Sequence, residues 1–284
     1  MSAASERPDH NRQKKLAVIN DFCGFGRCSI AVELPIISVM GVQCCPLPTA
    51  IFSNHTGFPS FFHTDYTEHF AAYAAEWENL ELEFAGITTG FLGSAEQINL
   101  VKGFLERFRS PHTKVLVDPV MGDYGKLYPT YTPELAGRMH ELIPYAHILT
   151  PNLTEACILT NTPYQADMGE DGLLRLCRSL ADQGPEKVVI SGIERDGCLE
   201  NFVYQRNEAP VVVRTEKLGG NRSGTGDVFC AVLAADMVNG VDFRESVEKA
   251  AQFIGLAIQK TTALGIPATD GLAIEECLSV LAKK

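Results

Sequence analysis

No stretch of 18 consecutive apolar residues occurs anywhere in the 284-residue chain, so no segment has the length and character of a membrane-crossing helix. Basic side chains are scarce: 24 Lys and Arg stand against 35 Asp and Glu, a formal charge of −11. A field of that sign repels polyanions and no basic patch offsets it, which argues against nucleic acid as a partner. The stretch from Met1 to Lys15 lacks the apolar run of a secretory signal. These absences predict a soluble, cytoplasmic protein with no membrane contact. Also missing is the Gly-Lys-Ser/Thr ending of a Walker A loop. The nine cysteines are scattered and odd in number, which speaks against a disulfide framework. Cys23 and Cys28 stand as Cys-x4-Cys, but no His pair follows at the distance of a zinc finger, which speaks against a zinc site. Finally, no Pro, Gly or Ser-rich linker and no internal repeat divides the chain. Residues 1–14 read as a flexible tail and 15–284 as one domain.

What is present is the composition of an ordinary globule, 45% hydrophobic and 21% charged. Short apolar strands are predicted over 16–19, 84–88, 114–117, 147–149 and 187–190. Helices are predicted from the turn at Gly24 and Gly26 up to Met40, over 94–109 and 132–143, from Asn152, and over 171–183. Segments 198–203 and 209–214 read as a two-stranded excursion. Helices over 227–239, 244–261 and 274–282 complete the chain. Strands alternating with helices at this spacing imply parallel crossovers and a three-layer α/β/α domain.

The strongest chemical signal is Gly219-Gly220-Asn221-Arg222-Ser223-Gly224-Thr225-Gly226-Asp227, placed just before an apolar helix. Glycines let backbone N–H groups converge at a helix N-terminus, where the partial positive charge favours a phosphate. Gly224, Thr225 and Gly226 form the expected anion hole. Asp227 is either a plain first-turn acid or a base that accepts a proton from an attacking hydroxyl. Two further segments follow predicted strands: Asp118-Pro119-Val120-Met121-Gly122-Asp123 and Thr150-Pro151-Asn152-Leu153-Thr154-Glu155. Each is a turn signal. Each also stands where open α/β sheets bind ligands, and Asp118 and Glu155 could hold Mg2+ through water.

These three motifs, in this order, resemble the ribokinase superfamily from Lys15 onward. Ser53-Asn54-His55-Thr56-Gly57 resembles the substrate loop of its pyridoxal kinase branch. The resemblance implies a ribokinase-like fold with a central, mostly parallel sheet, a homodimer, and ATP-dependent phosphorylation of the 5′-hydroxymethyl of a vitamin B6 vitamer. It implies Asp227 as the base, Asn152, Glu155 and Ser191 near the nucleotide, and Asp118 with Glu155 toward Mg2+. Asp21, His55, Thr56, Phe91 and Asp123 fall on the substrate side. Phe91 and His55 have structural alternatives, strand-end packing and a hydrogen-bonded core histidine. Asp21-Phe22 departs from the branch, which usually carries Ser-His there; the carboxylate either caps a turn or acts on the vitamer. Rival readings are a hydroxymethylpyrimidine or hydroxymethylpyrimidine-phosphate kinase of thiamin synthesis, a sugar kinase, and a non-catalytic homologue that senses a vitamer or nucleotide.

Overall fold

Side-chain alternation along β1 (Lys15–Cys23) sets the architecture. Ala17 and Ile19 enter one apolar cluster, while Leu16 and Val18 enter another on the opposite side. A strand buried on both faces belongs inside a sheet covered by helices on each side. The computed structural model describes residues 9–283. After β1 come α1 (Ile30–Val39), β2 (Gln43–Phe52), β3 (His63–Asp65), α2 (Thr67–Asn79), β4 (Gly86–Thr89), α3 (Ala95–Phe108) and β5 (Lys114–Val117). A small hairpin of β6 (Gly122–Asp123) and β7 (Lys126–Leu127) precedes α4 (Pro133–Arg138), β8 (Ile148–Leu149), α5 (Leu153–Leu159) and α6 (Glu170–Ala181). The chain closes through β9 (Lys187–Arg195), β10 (Cys198–Gln205), β11 (Val211–Glu216), α7 (Thr225–Asn239) and α8 (Phe243–Ala263).

The main sheet has nine strands in the order β11-β10-β9-β8-β5-β4-β1-β2-β3. Pairing is parallel from β2 to β9 and antiparallel at both margins. Ile87, Val115, Val117 and Leu149 pack with α2 to α6, and Leu116, Ile148 and Val189 with α1, α7 and α8. The chain leaves β1 for β2 on one side and returns to β4 on the other. Strand order therefore reverses between β1 and β4, which opens a crevice at their carboxyl ends. Among the described residues no helix is long and apolar enough to cross a membrane.

Several elements differ from the sequence expectation. The first strand runs on past the expected 16–19: Phe22 and Cys23 still pair with Ile51 and Phe52. Ser29, with φ of 53°, bridges back to Phe22, so the helix begins only at Ile30. β2 has no counterpart in the expected strands because Pro46 and Pro48 break its pattern. β3 meets β2 only at Ala50 to Phe52, which leaves the prolines on an outer margin where a missing N–H costs no ladder bond. There the Tyr73 hydroxyl donates to the Pro46 carbonyl at 3.0 Å. α2 buries little beyond Phe70 and Ala74, and so leaves a faint periodic signal. The helix expected over 132–143 turns 3-10 at Met139, because Pro144 cannot donate to an α-helical ladder. The helix expected over 274–282 is a pair of 3-10 turns interrupted at Cys277, whose φ is −141°. Of the expected tail, residues 1–8 lie outside the described residues. Asn11 is fastened by its amide to the Glu81 carbonyl at 2.9 Å.

α7 and α8 are joined by one buried charge. Asp236, with a side chain 3% exposed, accepts both bonds of Lys249 Nζ at 2.9 and 2.8 Å. Removing the cation strands a carboxylate inside the packing. Lys249→Met should therefore lower unfolding free energy by about 2–3 kcal/mol in urea titrations, and adding Asp236→Asn should restore part of that loss.

Candidate active site

The carboxyl ends of β1, β4, β5 and β8 converge with the N-terminus of α7. In the carboxyl-terminal half of β1, at the irregularity in its pairing with β2, lies Asn20, 1% exposed. Its Oδ1 accepts the N–H of Asp21 at 2.9 Å and of Phe91 at 2.8 Å, and its Nδ2 donates to Glu33 Oε2 at 3.0 Å and Asp227 Oδ1 at 3.3 Å. The next residue, Asp21, is 6% exposed and accepts from Cys23 Sγ at 3.2 Å and from Ser29.

Gly224 caps α7 in the left-handed region, with φ of 81°. A Cβ there would sit 2.1 Å from the Arg27 carbonyl oxygen, so both the turn and the close approach of the β1–α1 loop exclude any other residue. Thr225, Gly226 and Asp227 form the first turn of this 15-residue helix, whose leading N–H groups have no intrahelical acceptor. The expected anion hole and its carboxylate are thus contiguous. Asp227 also accepts the backbone N–H of Ser29.

On the β5–β8 side, Asn152 and Glu155 complete a capping box at the start of α5. Glu155 Oε2 takes the Asn152 N–H at 2.8 Å and Oε1 the Met121 N–H at 3.0 Å, while Asn152 Nδ2 donates to the Gly122 carbonyl at 2.7 Å. Asp118 accepts from the Thr150 hydroxyl at 3.3 Å. Ser191 donates its N–H to the Pro151 carbonyl at 3.0 Å, which brings it beside Asn152.

Burial raises the carboxyl groups of Asp21, Glu33, Asp118, Glu155 and Asp227 above their ordinary range. The charge of Asp227 adds to this for Asp21, Glu33 and Asp118, and the charge of Asp118 for Glu155. Asp21 is pushed up to about 6. The bonds from Ser29 and Asn20 pull Asp227 the other way.

Phe91 forms a wall of the crevice. Its ring meets Tyr131 edge-on at 5.8 Å and Phe52 at 6.0 Å, and its backbone ties to Asn20. His55 has both nitrogens occupied. Nδ1 accepts the Gly57 N–H at 3.1 Å, so Nε2 carries the proton toward the Thr269 carbonyl at 2.7 Å. Thr56 is exposed on the same loop. Asp123 is exposed on the β6–β7 hairpin, where it accepts the Tyr124 N–H at 2.8 Å. Neither touches the Asn20 and Asp227 cluster by any bond among the described residues. Sequence reasoning missed Asn20 and Glu33. Their signals were a polar residue closing an apolar strand and a lone acid inside the apolar helix Ile30–Val39.

The phosphomethylpyrimidine kinase family matches residues 29–270. A pyridoxine/pyridoxal/pyridoxamine kinase of Bordetella avium is 30% identical over 84% of this chain and 82% of its own length. A Bacteroides thetaiotaomicron protein crystallised with pyridoxal is 37% identical, covers 96% of each chain and superposes with a TM-score of 0.92. A pyridoxal kinase of Lactobacillus plantarum superposes with a TM-score of 0.87 at 26% identity, covering 94% of this chain and 96% of its own.

The raised Asp21 carboxyl has a stability consequence with a definite sign. Between the unfolded value near 4 and the folded value of about 6, the folded state binds more protons, so stability falls as pH rises through that window. Asp21→Asn should raise unfolding free energy by about 2–3 kcal/mol at pH 8. The gain should vanish below about pH 4, where both states are protonated, as thermal melts across that range would record.

Proposed function

Because the chain belongs to the phosphomethylpyrimidine kinase family, we propose that it transfers the γ-phosphoryl group of ATP to the 5′-hydroxymethyl of a vitamin B6 vitamer, pyridoxal, pyridoxine or pyridoxamine. The observation that carries this reading is Asp227 in the first turn of α7, beside the Gly224 to Gly226 backbone, at the crevice where strand order reverses. As the acceptor oxygen bonds to phosphorus, its proton passes to Asp227 and the bond from the γ-phosphorus to the bridging oxygen breaks, releasing ADP. The N–H groups of Gly224, Thr225 and Gly226 donate to the phosphoryl oxygens where negative charge is concentrated. Asn152, Glu155 and Ser191 line the nucleotide side.

Asp118 and Glu155 would hold Mg2+ through water. Among the described residues no group of three or more His, Cys, Asp or Glu is assembled as a metal cage. That fits an ion which keeps several waters and leans on substrate phosphates. The donor set fits too, since the carboxyl groups here raise one another's proton affinity and a cation relieves it. When bound, Mg2+ neutralises phosphate charge.

Phe91 offers a flat apolar surface to the pyridine ring, with Asp21, His55, Thr56 and Asp123 around it. Since both His55 nitrogens are engaged, that residue shapes the loop and leaves direct contacts to its neighbours. Residues 15–284 act as one kinase domain behind the 1–14 tail, and the protein works as a cytoplasmic homodimer. A hydroxymethylpyrimidine kinase would use the same phosphoryl chemistry; the pyridoxal held by the 37% identical Bacteroides protein favours the B6 substrate.

Assay of the three vitamers and hydroxymethylpyrimidine with Mg-ATP tests the reading, and phosphorylation of hydroxymethylpyrimidine alone, or of none, overturns it. Asp227→Asn should cut kcat by about 10² or more while substrate and ATP binding stay within a few-fold. Asp21 favours pyridoxamine, whose protonated aminomethyl can receive a charge-assisted bond that the aldehyde of pyridoxal cannot. Asp21→Ser should shift the pyridoxamine to pyridoxal ratio of kcat/KM toward pyridoxal by about tenfold or more; an unmoved ratio removes Asp21 from vitamer selection.

A further inference from the structure

Asn20 is the only side chain that touches both Asp227 and a second buried acid among the bonds of the described residues. Its orientation is forced. Two backbone N–H groups, from Asp21 and Phe91, converge on one carboxamide atom, which must be the oxygen. The amide nitrogen then faces Glu33 Oε2 with one hydrogen and Asp227 Oδ1 with the other. Every strong bonding position of the carboxamide is filled, and Glu33, 2% exposed on α1, anchors its far side. Gly90 completes the seat: a Cβ at that position would lie 2.5 Å from Asn20 Cγ and Nδ2.

We propose that Asn20, locked by Glu33 and by the Asp21 and Phe91 amides, is a positioning residue that engages Asp227 Oδ1 and, together with the Ser29 N–H, fixes the orientation in which the carboxylate meets the acceptor hydroxyl. The inference rests on the reading of Asp227 as the base. A carboxylate in the first turn of a helix turns about two side-chain torsions, and proton acceptance needs one oxygen within hydrogen-bond reach of the hydroxyl. A donor that cannot itself rotate fixes that geometry. The same N–H favours the charged form of Asp227. It is set against Asp21 from β1, Glu33 from α1 and Asp118 from β5, whose charges disfavour that form, with Ser29 N–H and His55 on its side.

The test compares Asn20→Ala, Asn20→Asp and Gly90→Ala in the full chain, reading kcat, KM for ATP and the acid limb of the pH–rate profile. Asn20→Ala should lower kcat about tenfold or more with KM for ATP within about threefold, and should move the acid limb up by about one pH unit. Asn20→Asp keeps the oxygen that accepts from Asp21 and Phe91, so the strand ends stay tied, yet it presents an oxygen to Asp227; it should show the same loss and the same direction of shift. Gly90→Ala, whose backbone needs no special conformation, should displace the carboxamide and lower kcat similarly. In the Asn20→Ala background it should add less than about twofold, because nothing remains to collide with. Wild-type kcat and an unmoved acid limb in Asn20→Asp and Gly90→Ala, or full additivity of Gly90→Ala with Asn20→Ala, overturns the proposal. Asp227→Asn separates the two readings: if it keeps kcat the base assignment itself fails, and if it loses kcat while the Asn20 variants do not, only the positioning role fails.

Discussion

Five carboxyl groups, from Asp21, Glu33, Asp118, Glu155 and Asp227, are gathered at one end of a parallel sheet, and none forms an ion pair among the described residues. That crowding is the constraint around which the site is built. Burying acids without cations is costly unless hydrogen bonds compensate, and here the compensation comes from neutral donors. Backbone N–H groups of Met121 and Asn152 hold Glu155, Ser29 and Asn20 hold Asp227, and Thr150 holds Asp118. The positive end of α7 faces the same crevice. A region that is unfavourable for the resting fold is thereby held at the crevice, in the way that functional sites depart from the locally most stable arrangement.

The loops that close over this floor are interlocked. Arg27, in the β1–α1 loop, lends its carbonyl to the close contact with Gly224, and its guanidinium bonds the Asp270 carbonyl at 3.2 Å and Glu275 at 3.0 Å. Arg222, in the glycine loop, donates to the carbonyls of Ile266 and Pro267. His55 reaches Thr269 from a third segment. Tyr124, on the small hairpin, contacts both Asn221 and Glu194. Segments near residues 27, 55, 124, 222 and 270 thus share anchors, so the shape of the turn at Gly224 depends on parts of the chain far from it in sequence.

Helix starts with a strong cap were legible in the sequence. Ser94, Thr132 and Asn152 each accept a backbone N–H three residues on, a local interaction that a local reading can find. The buried strands were legible for the same reason, since an apolar run such as residues 114–117 carries its own evidence. What stayed hidden was set by tertiary context. β2 is a strand in spite of its prolines because β3 pairs only with its last residues and leaves the stretch at Pro46 and Pro48 without a partner on that side, and the C-terminal turns mimic a helix because Ile274, Cys277 and Leu281 are buried at helical spacing. Within the site, motif residues stood out through their glycines and turn signals. Asn20 and Glu33 did not, because their meaning lies in a meeting across 13 positions of chain that no spacing rule marks.

The margin of the sheet at β2 has a further consequence. An exposed strand normally offers alternating donors and acceptors to any other chain that comes alongside. Here Pro46 and Pro48 supply no donor, and the Pro46 carbonyl is already taken by Tyr73. This stretch of rim is therefore closed to strand addition. No charged guard is needed at that position, and no assembly of copies can arise by extending the sheet through residues 46 to 48.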